Sequence, residues 1–212
     1  MIISLLQEKG GAGKTTIVIN VAKAFKDLGY KVLLVDSDPQ GSARDWHTSN
    51  DGDVLDVIGL DRPTLDKDIS RFRREYDFIF IDGAPHLSTM AAKTIICSDV
   101  TLIPVQPSPY DVWASKSLVD LIKQRQEITD GKPKAAFIIS RQITQTNIGK
   151  EVREVLEEYG LPVLKHGTFQ RVVYPETAAI GQTVMNQCNK NPARQEIELL
   201  AREILEFCNG HA

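Results

Sequence analysis

Short apolar runs without polar alternation recur along this chain, and amphipathic stretches separate them. The runs fall at residues 2–6, 32–35, 54–58, 78–81, 100–105 and 135–139, with a short further start at 163–164. A strand that is apolar on both faces has to be covered on both faces, which is the pattern of a parallel sheet between helices. The intervening stretches fit that role. Residues 15–28 place Ile17, Val21, Ala24, Phe25 and Leu28 at helical spacing, and Gly29 supplies a stop. Further helices are expected at 41–50, 65–74, 88–97, 112–128, 147–159, 174–183 and 192–207. Right-handed crossovers then give a three-layer, doubly wound α/β fold with a mostly parallel sheet. Its ligand lies beyond the carboxyl ends of the strands. A length of 212 residues, with no repeat and no linker, reads as a single domain spanning 1–212.

Composition removes several other classes. Hydrophobic residues are 42% and charged residues 25%, ordinary values for a globular chain and far from those of disorder, collagen or a coiled coil. Lys and Arg number 25 against 28 Asp and Glu, a net charge of -3, so contact with nucleic acid would have to come from a local basic patch. Cys97, Cys188 and Cys208 are far apart in sequence and form neither a disulfide framework nor a C-x-x-C site. They read as small apolar side chains in a reducing, cytoplasmic protein. No signal peptide and no membrane span of ~18 apolar residues is visible. His47, His86, His166 and His211 show no ligand spacing, although His86 falls close to a site motif. Trp46 and Trp113 read as packing or dimer-edge groups.

The chemistry begins at the first apolar run. Lys9, Gly10, Gly11, Ala12, Gly13, Lys14, Thr15 and Thr16 link it to the first helix. Glycines let successive backbone N–H groups converge into a nest for phosphate oxygens, and the helix N-terminus adds its dipole there. Lys14 can reach the β- and γ-phosphates, the Thr15 hydroxyl can ligate Mg²⁺, and Thr16 can donate to a phosphate. The usual G-x-x-x-x-G-K-[ST] pattern would need glycine at position 8, where this chain has Glu8. An extra lysine, Lys9, stands next to it instead. The run 32–35 ends in Asp36-Ser37-Asp38-Pro39 and the run 78–81 in Asp82-Gly83. Asp82, closing four apolar residues, fits an acid that holds Mg²⁺ through water. Asp36 and Asp38 stand at the same carboxyl edge beside the phosphate loop, or serve turn chemistry ahead of Pro39. Gly83 leaves no catalytic carboxylate directly after Asp82, so Asp38 is the candidate for positioning water. Guanine readers use N-K-x-D. The nearest match here, Asn189-Lys190-Asn191-Pro192, lacks the Asp, so adenine is the expected base.

Together these residues resemble the ParA/MinD family of deviant Walker-A ATPases, a P-loop NTPase-like group. The phosphate loop 9–16 carries the resemblance most closely. Residues 35–41 look like the family's second motif and 76–85 like its third. The proline-rich segment 104–111 looks like that of the small ParF-type partition ATPases. The resemblance implies ATP and Mg²⁺ as cofactors and an ATP-dependent homodimer with two nucleotides sandwiched between subunits. Lys9 would cross to the partner's phosphates, Asp38 would orient water, and Asp36 with Thr15 and Asp82 would serve the metal. It further implies non-specific DNA binding by the dimer, a nucleoid-associated location, and a centromere-binding, ParB-like adaptor that stimulates slow hydrolysis. Arg171, Lys190, Arg194 and Arg202 are the candidate DNA contacts, with a second basic group at Lys116, Lys123, Arg125, Lys132 and Lys134. The loop begins at residue 9, so no N-terminal DNA-binding domain and no autorepression are expected. The tail, 196–212, carries Glu196, Glu198, Glu203 and Glu206 against Arg202, so a core-packed helix is expected there and no basic membrane helix. Two alternatives stay open: an ATPase positioning another cargo on the nucleoid, and a small ATP-dependent ligase such as dethiobiotin synthetase, in which Lys9 would have no role.

Overall fold

The computed structural model describes all residues but 51, 53, 86–88, 145–147, 211 and 212, and all side chains among them but those of Ile148 and Lys150. His86 and His211 therefore lie outside the described residues.

Six strands form one sheet: β1 (Ile2–Leu5), β2 (Val32–Asp36), β3 (Asp56–Gly59), β4 (Phe78–Asp82), β5 (Val100–Val105) and β6 (Lys134–Ile139). Every pairing is parallel, and the order is β3-β2-β4-β1-β5-β6. The chain builds outward on one side of β1 and later on the other. The carboxyl end of β1 is thus the switch point, where open α/β sheets bind ligands. Register sets Leu5 against Asp82 and Asp82 against Asp36, so both carboxylates reach the same edge as the phosphate loop.

Helices cover both faces. On one side α1 (Lys14–Asp27) packs on α9 (Pro192–Asn209), and Ile3, Leu34 and Phe80 meet Val21, Phe25, Ile197 and Leu200 there. Phe25 is fully buried and meets Phe78 and Phe80 edge-on, with centroids 4.8 and 5.1 Å away. Side chains of opposite parity, Ile2, Leu33, Ile79 and Ile81, face the other layer. That layer holds α3 (Leu65–Asp68), α4 (Thr89–Cys97), α6 (Lys116–Glu127) and α7 (Ile148–Glu157). Burial on both faces is why the strands read as continuous apolar runs.

Where the elements depart from the sequence reading, a local interaction accounts for most of it. The helix expected over 112–128 starts earlier and is broken at Ser115 into α5 (Pro109–Ala114) and α6. Ser115 is fully buried, donates to the Asp111 carbonyl at 2.9 Å and accepts from Gln7 Nε2 at 2.9 Å. The expected 174–183 helix is only α8 (Val173–Ala178), because Gly181 turns the chain at φ +64°. A Cβ at 181 would meet the Asn50 nitrogen at 2.7 Å. Residues 69–74 tighten to a 3₁₀ helix, and 163–164 contributes one bridge, Val163 to Phe137, with no strand. Residues 42–48 form α2 (Ser42–Thr48) as expected.

The apolar stripe of α9 is buried in the α1 layer, with Leu205 and Phe207 packed at its margin, as expected for a core helix. Among the described residues no helix is long and apolar enough to cross a membrane. Cys97 and Cys208 are buried, and burial pushes their thiols up to about 12 and about 11, whereas Cys188 is exposed. Trp46 is buried and donates to the Gln182 carbonyl at 3.0 Å, while Trp113 is 65% exposed.

Candidate nucleotide site

The loop between β1 and α1 turns through two left-handed glycines, Gly11 at φ +81° and Gly13 at φ +89°. An L side chain is strained at either place, which explains the glycine requirement. Gly13 stands at the N-cap of α1, no side chain caps the helix, and no acid lies in its first turn. The first-turn N–H groups are thus left for an anion.

The loop carbonyls are turned away from that anion site. Gln106 Nε2 donates to the Gly11 carbonyl at 2.9 Å, and Ser140 Oγ donates to the Ala12 carbonyl at 2.8 Å. These residues follow β5 and β6, so the carboxyl edge on that side of β1 braces the loop. Neither was a sequence candidate. A polar residue just past a buried strand is the signal that would have found both.

Lys14 is 8% exposed and donates to the Gln7 carbonyl at 3.1 Å. Burial holds its ammonium below the usual lysine value, while Asp82 and Asp38 pull in the opposite direction. Thr15 Oγ1 donates to Asp82 Oδ2 at 2.7 Å. The other oxygen, Asp82 Oδ1, is buried and has no hydrogen-bond partner among the described residues. Burial pushes this carboxyl up to about 7, and Asp36 and Asp38 add repulsion against Thr15 and Lys14. An orphaned carboxylate oxygen beside a threonine hydroxyl fits a Mg²⁺ site, since Mg²⁺ takes one or two protein oxygens and fills its shell with phosphate and water.

Asp36 has both oxygens engaged. Oδ1 accepts from Asp38 N at 3.1 Å, and Oδ2 accepts from Arg44 N at 3.0 Å with Arg44 Nε at 3.5 Å. These bonds are the turn chemistry that stood as the alternative to a metal role for Asp36, and they anchor the start of α2. Asp38 Oδ1 accepts from Gln40 N at 2.9 Å, and Asp38 is half-buried at the mouth of the site.

Lys9 points elsewhere. Its side chain is 43% exposed, and Nζ meets Asp111 Oδ2 at 2.6 Å. Asp111 opens α5, whose Tyr110 and Trp113 are exposed and meet edge-on at 5.6 Å. The two lysines of the loop are thus separated in place: Lys14 is buried beside the loop and Lys9 stands at its rim.

A cleft of about 490 Å³ adjoins the loop at Gly13 and Thr16. Its opposite wall is Arg141, Thr168, Arg171 and Tyr174 among others. Arg141 follows Ser140 in a left-handed conformation, φ +50°.

The candidate basic contacts divide in two. Arg171 is paired with Glu196, and Arg194 with Glu198. Arg194 Nη1 also donates to the carbonyls of Met185 and Gln187 at 3.0 and 2.7 Å. Both arginines hold the fold together. Lys190 and Arg202 are exposed. In the second group, Lys134 Nζ donates to the carbonyls of Phe207 and Cys208 at the end of α9.

A switch-point phosphate loop, a buried lysine and a threonine–aspartate pair define a P-loop nucleotide-binding protein of the α/β class. The chain belongs to the CobQ/CobB/MinD/ParA nucleotide-binding domain family, whose profile matches residues 3–184. It is 30% identical over 202 residues to the maintenance of carboxysome distribution protein A of Halothiobacillus neapolitanus, covering 93% of each chain. It is 25% identical over 239 residues to the chromosome-partitioning ATPase Soj of Thermus thermophilus, covering 96% of this chain and 94% of that one. In fold it is similar to the septum site-determining protein MinD of Pyrococcus horikoshii complexed with Mg-ADP. The TM-score is 0.79 at 19% identity, over 100% of this chain and 98% of that one. The chain is thus an ATPase of the ParA/MinD type.

Proposed function

We propose that this chain is a ParA-type DNA-partition ATPase, close to the small ParF-type proteins, which binds DNA without sequence preference as an ATP-dependent sandwich dimer. The observation that carries this reading is the division of labour between Lys14 and Lys9. Lys14 lies in its own subunit's site, and Lys9 stands exposed at the rim, where it meets Asp111. A cation donated across an interface stabilises developing phosphoryl charge only once the interface has closed. Hydrolysis then doubles as a clock for the dimer. The phosphates rest on residues 10–16, with Lys14 on the β- and γ-phosphates. Bound Mg²⁺ would neutralise phosphate charge, held by Thr15 and through water by Asp82. Asp36 serves this network by fixing the turn that carries Asp38, and Asp38 orients the attacking water. The cleft beside Gly13 and Thr16 takes the adenine and ribose. A ParB-like adaptor on the cargo stimulates hydrolysis and resets the cycle in the cytoplasm, at the nucleoid.

A second reading, positioning of another cargo on the nucleoid, is favoured by the relative named for carboxysome distribution. Both readings share the same site and differ in the adaptor.

The test is binding to arbitrary-sequence duplex DNA with ATP, with ADP and with no nucleotide, across a salt series. Binding with ATP alone, falling steeply as salt rises, is the expected result. Absence of binding in every state refutes the DNA-carrier reading.

A further inference from the structure

We propose that Glu196 is a positioning residue for the nucleotide-base cleft, through which α9 sets the cleft's outer wall. This rests on the reading that the cleft beside Gly13 and Thr16 holds the base. One wall of the cleft belongs to α1 and is rigid. The other is the segment 168–175, which has little regular structure of its own beyond the short α8.

Glu196 supplies what that segment lacks. Its Oε1 accepts from Arg171 Nε at 2.6 Å and faces Arg171 Nη2 at 2.5 Å. Its Oε2 accepts from the Phe169 backbone N at 3.2 Å and from the Tyr174 hydroxyl at 3.2 Å. Phe169, Arg171 and Tyr174 all line the cleft, and Glu196 does not. One carboxylate, 11% exposed, thus fixes three lining residues at once. Arg171 in turn lies over the Phe169 ring, 5.7 Å from its centroid. Burial and the neighbouring Glu196 charge push the Tyr174 phenol up, keeping it a neutral donor to the carboxylate. Charge-assisted bonds of this kind are the strong ones, and removing one partner leaves the other charge unpaired.

The same helix repeats the device two turns on. Glu203 lies on the face of Glu196 and accepts from the backbone N of Lys165 and of His166 at 2.7 and 2.8 Å. Two of the four acids that make the tail look merely anionic in sequence, Glu196 and Glu203, are therefore inward clamps on the chain leading into the cleft.

The test uses the full chain with Glu196→Ala, Glu196→Gln, Arg171→Ala and the double variant Arg171→Ala/Glu196→Ala. The measurements are affinity for Mg-ATP, affinity for Mg-tripolyphosphate, which has no base or ribose, and the nucleotide-free Tm. We expect Glu196→Ala to lose about tenfold in ATP affinity, the worth of one charge-assisted bond. Tripolyphosphate affinity should be unchanged. Glu196→Gln should recover part of the loss, and the double variant should lose more than Arg171→Ala, because Phe169 and Tyr174 are released as well. An unchanged ATP affinity in folded Glu196→Ala, or equal losses for ATP and tripolyphosphate, overturns the proposal. If Glu196→Ala fails to fold, Glu196→Gln carries the same comparison, and an ATP affinity equal to wild type overturns it. Wild-type protein that binds tripolyphosphate no less tightly than ATP refutes the underlying assignment of the cleft, and the proposal falls with it.

Discussion

At the scale of single residues, Asp82 has to be ionised before it can serve a cation, and the nucleotide-free fold opposes that. Its folded-state value of about 7 lies above the ordinary aspartate value of about 3.9. The folded state therefore binds the proton more tightly than the unfolded chain does. The stability this contributes is fully present below about pH 4 and is lost as pH rises to about 7. Asp82→Asn keeps an acceptor for Thr15 and cannot ionise. Its Tm relative to wild type should climb between about pH 4 and pH 7 and level off above, measured by thermal melts without nucleotide. A flat difference across that range would mean that Asp82 is not protonated in the folded protein. The two lysines separate in the same way. Lys14→Ala should abolish nucleotide binding while leaving the nucleotide-free Tm unchanged or higher, since a desolvated ammonium is removed. Lys9→Ala should bind ATP and fail to hydrolyse it or to close the dimer. Titration with a fluorescent ATP analogue and sizing in ATP distinguish the two. Normal turnover in Lys9→Ala would remove the cross-subunit role.

Among the elements, the end of β4 shows how a missing catalytic group is imposed by packing. Gly83 donates to the Leu5 carbonyl at 3.1 Å, and a Cβ there would lie 2.6 Å from that oxygen and 2.2 Å from Leu6 Cδ2. The site cannot keep this β1–β4 contact and carry a carboxylate at 83. Gly83→Ala should cost about 2 kcal/mol or more in urea unfolding and reduce nucleotide affinity, because β1 leads directly into the phosphate loop. A variant as stable as wild type would show that the edge can give way. This local crowding is invisible in the sequence, where Gly83 is only the absence of an acid. What is legible follows a single physical rule, that strands buried on both faces are apolar throughout. It locates β1, β2, β4, β5 and β6 within a residue or two, and through them the carboxyl edge where the loop, Asp36 and Asp82 meet. Contacts between residues distant in sequence stay hidden. The Ser115 break depends on Gln7, the Asp36 role on Arg44, the shape of the loop on Gln106 and Ser140, and the Glu196 clamp on residues more than twenty positions away.

For the whole molecule, the DNA-carrier reading raises the question of how a chain of net charge -3 would hold DNA. Counterion release makes affinity fall with salt at a slope set by the number of phosphates neutralised. Cations already satisfied within the fold add little to that number, and the structure sorts the candidates on this ground. Arg194 spends its charge on Glu198 and its donors on two carbonyls, and Arg171 is bound to Glu196. Lys190 and Arg202 are exposed and carry no such network among the described residues. Under the DNA-carrier reading, Lys190→Ala and Arg202→Ala should each lower the salt slope by about one and leave the Tm and ATP affinity unchanged. Arg194→Ala should instead lower the Tm, because it frees the turn at 185–187 and leaves Glu198 unpaired. The measurement is ATP-dependent DNA affinity across a salt series, with a melt of each variant beside it. On the same reading, ATP-dependent dimerisation would double each exposed cation, so that a modest patch on the subunit would become a binding face in the ATP state. If Lys190→Ala and Arg202→Ala keep the full wild-type slope, the DNA face lies elsewhere, and Lys116, Lys123 and Arg125 on α6 are the next cations to remove.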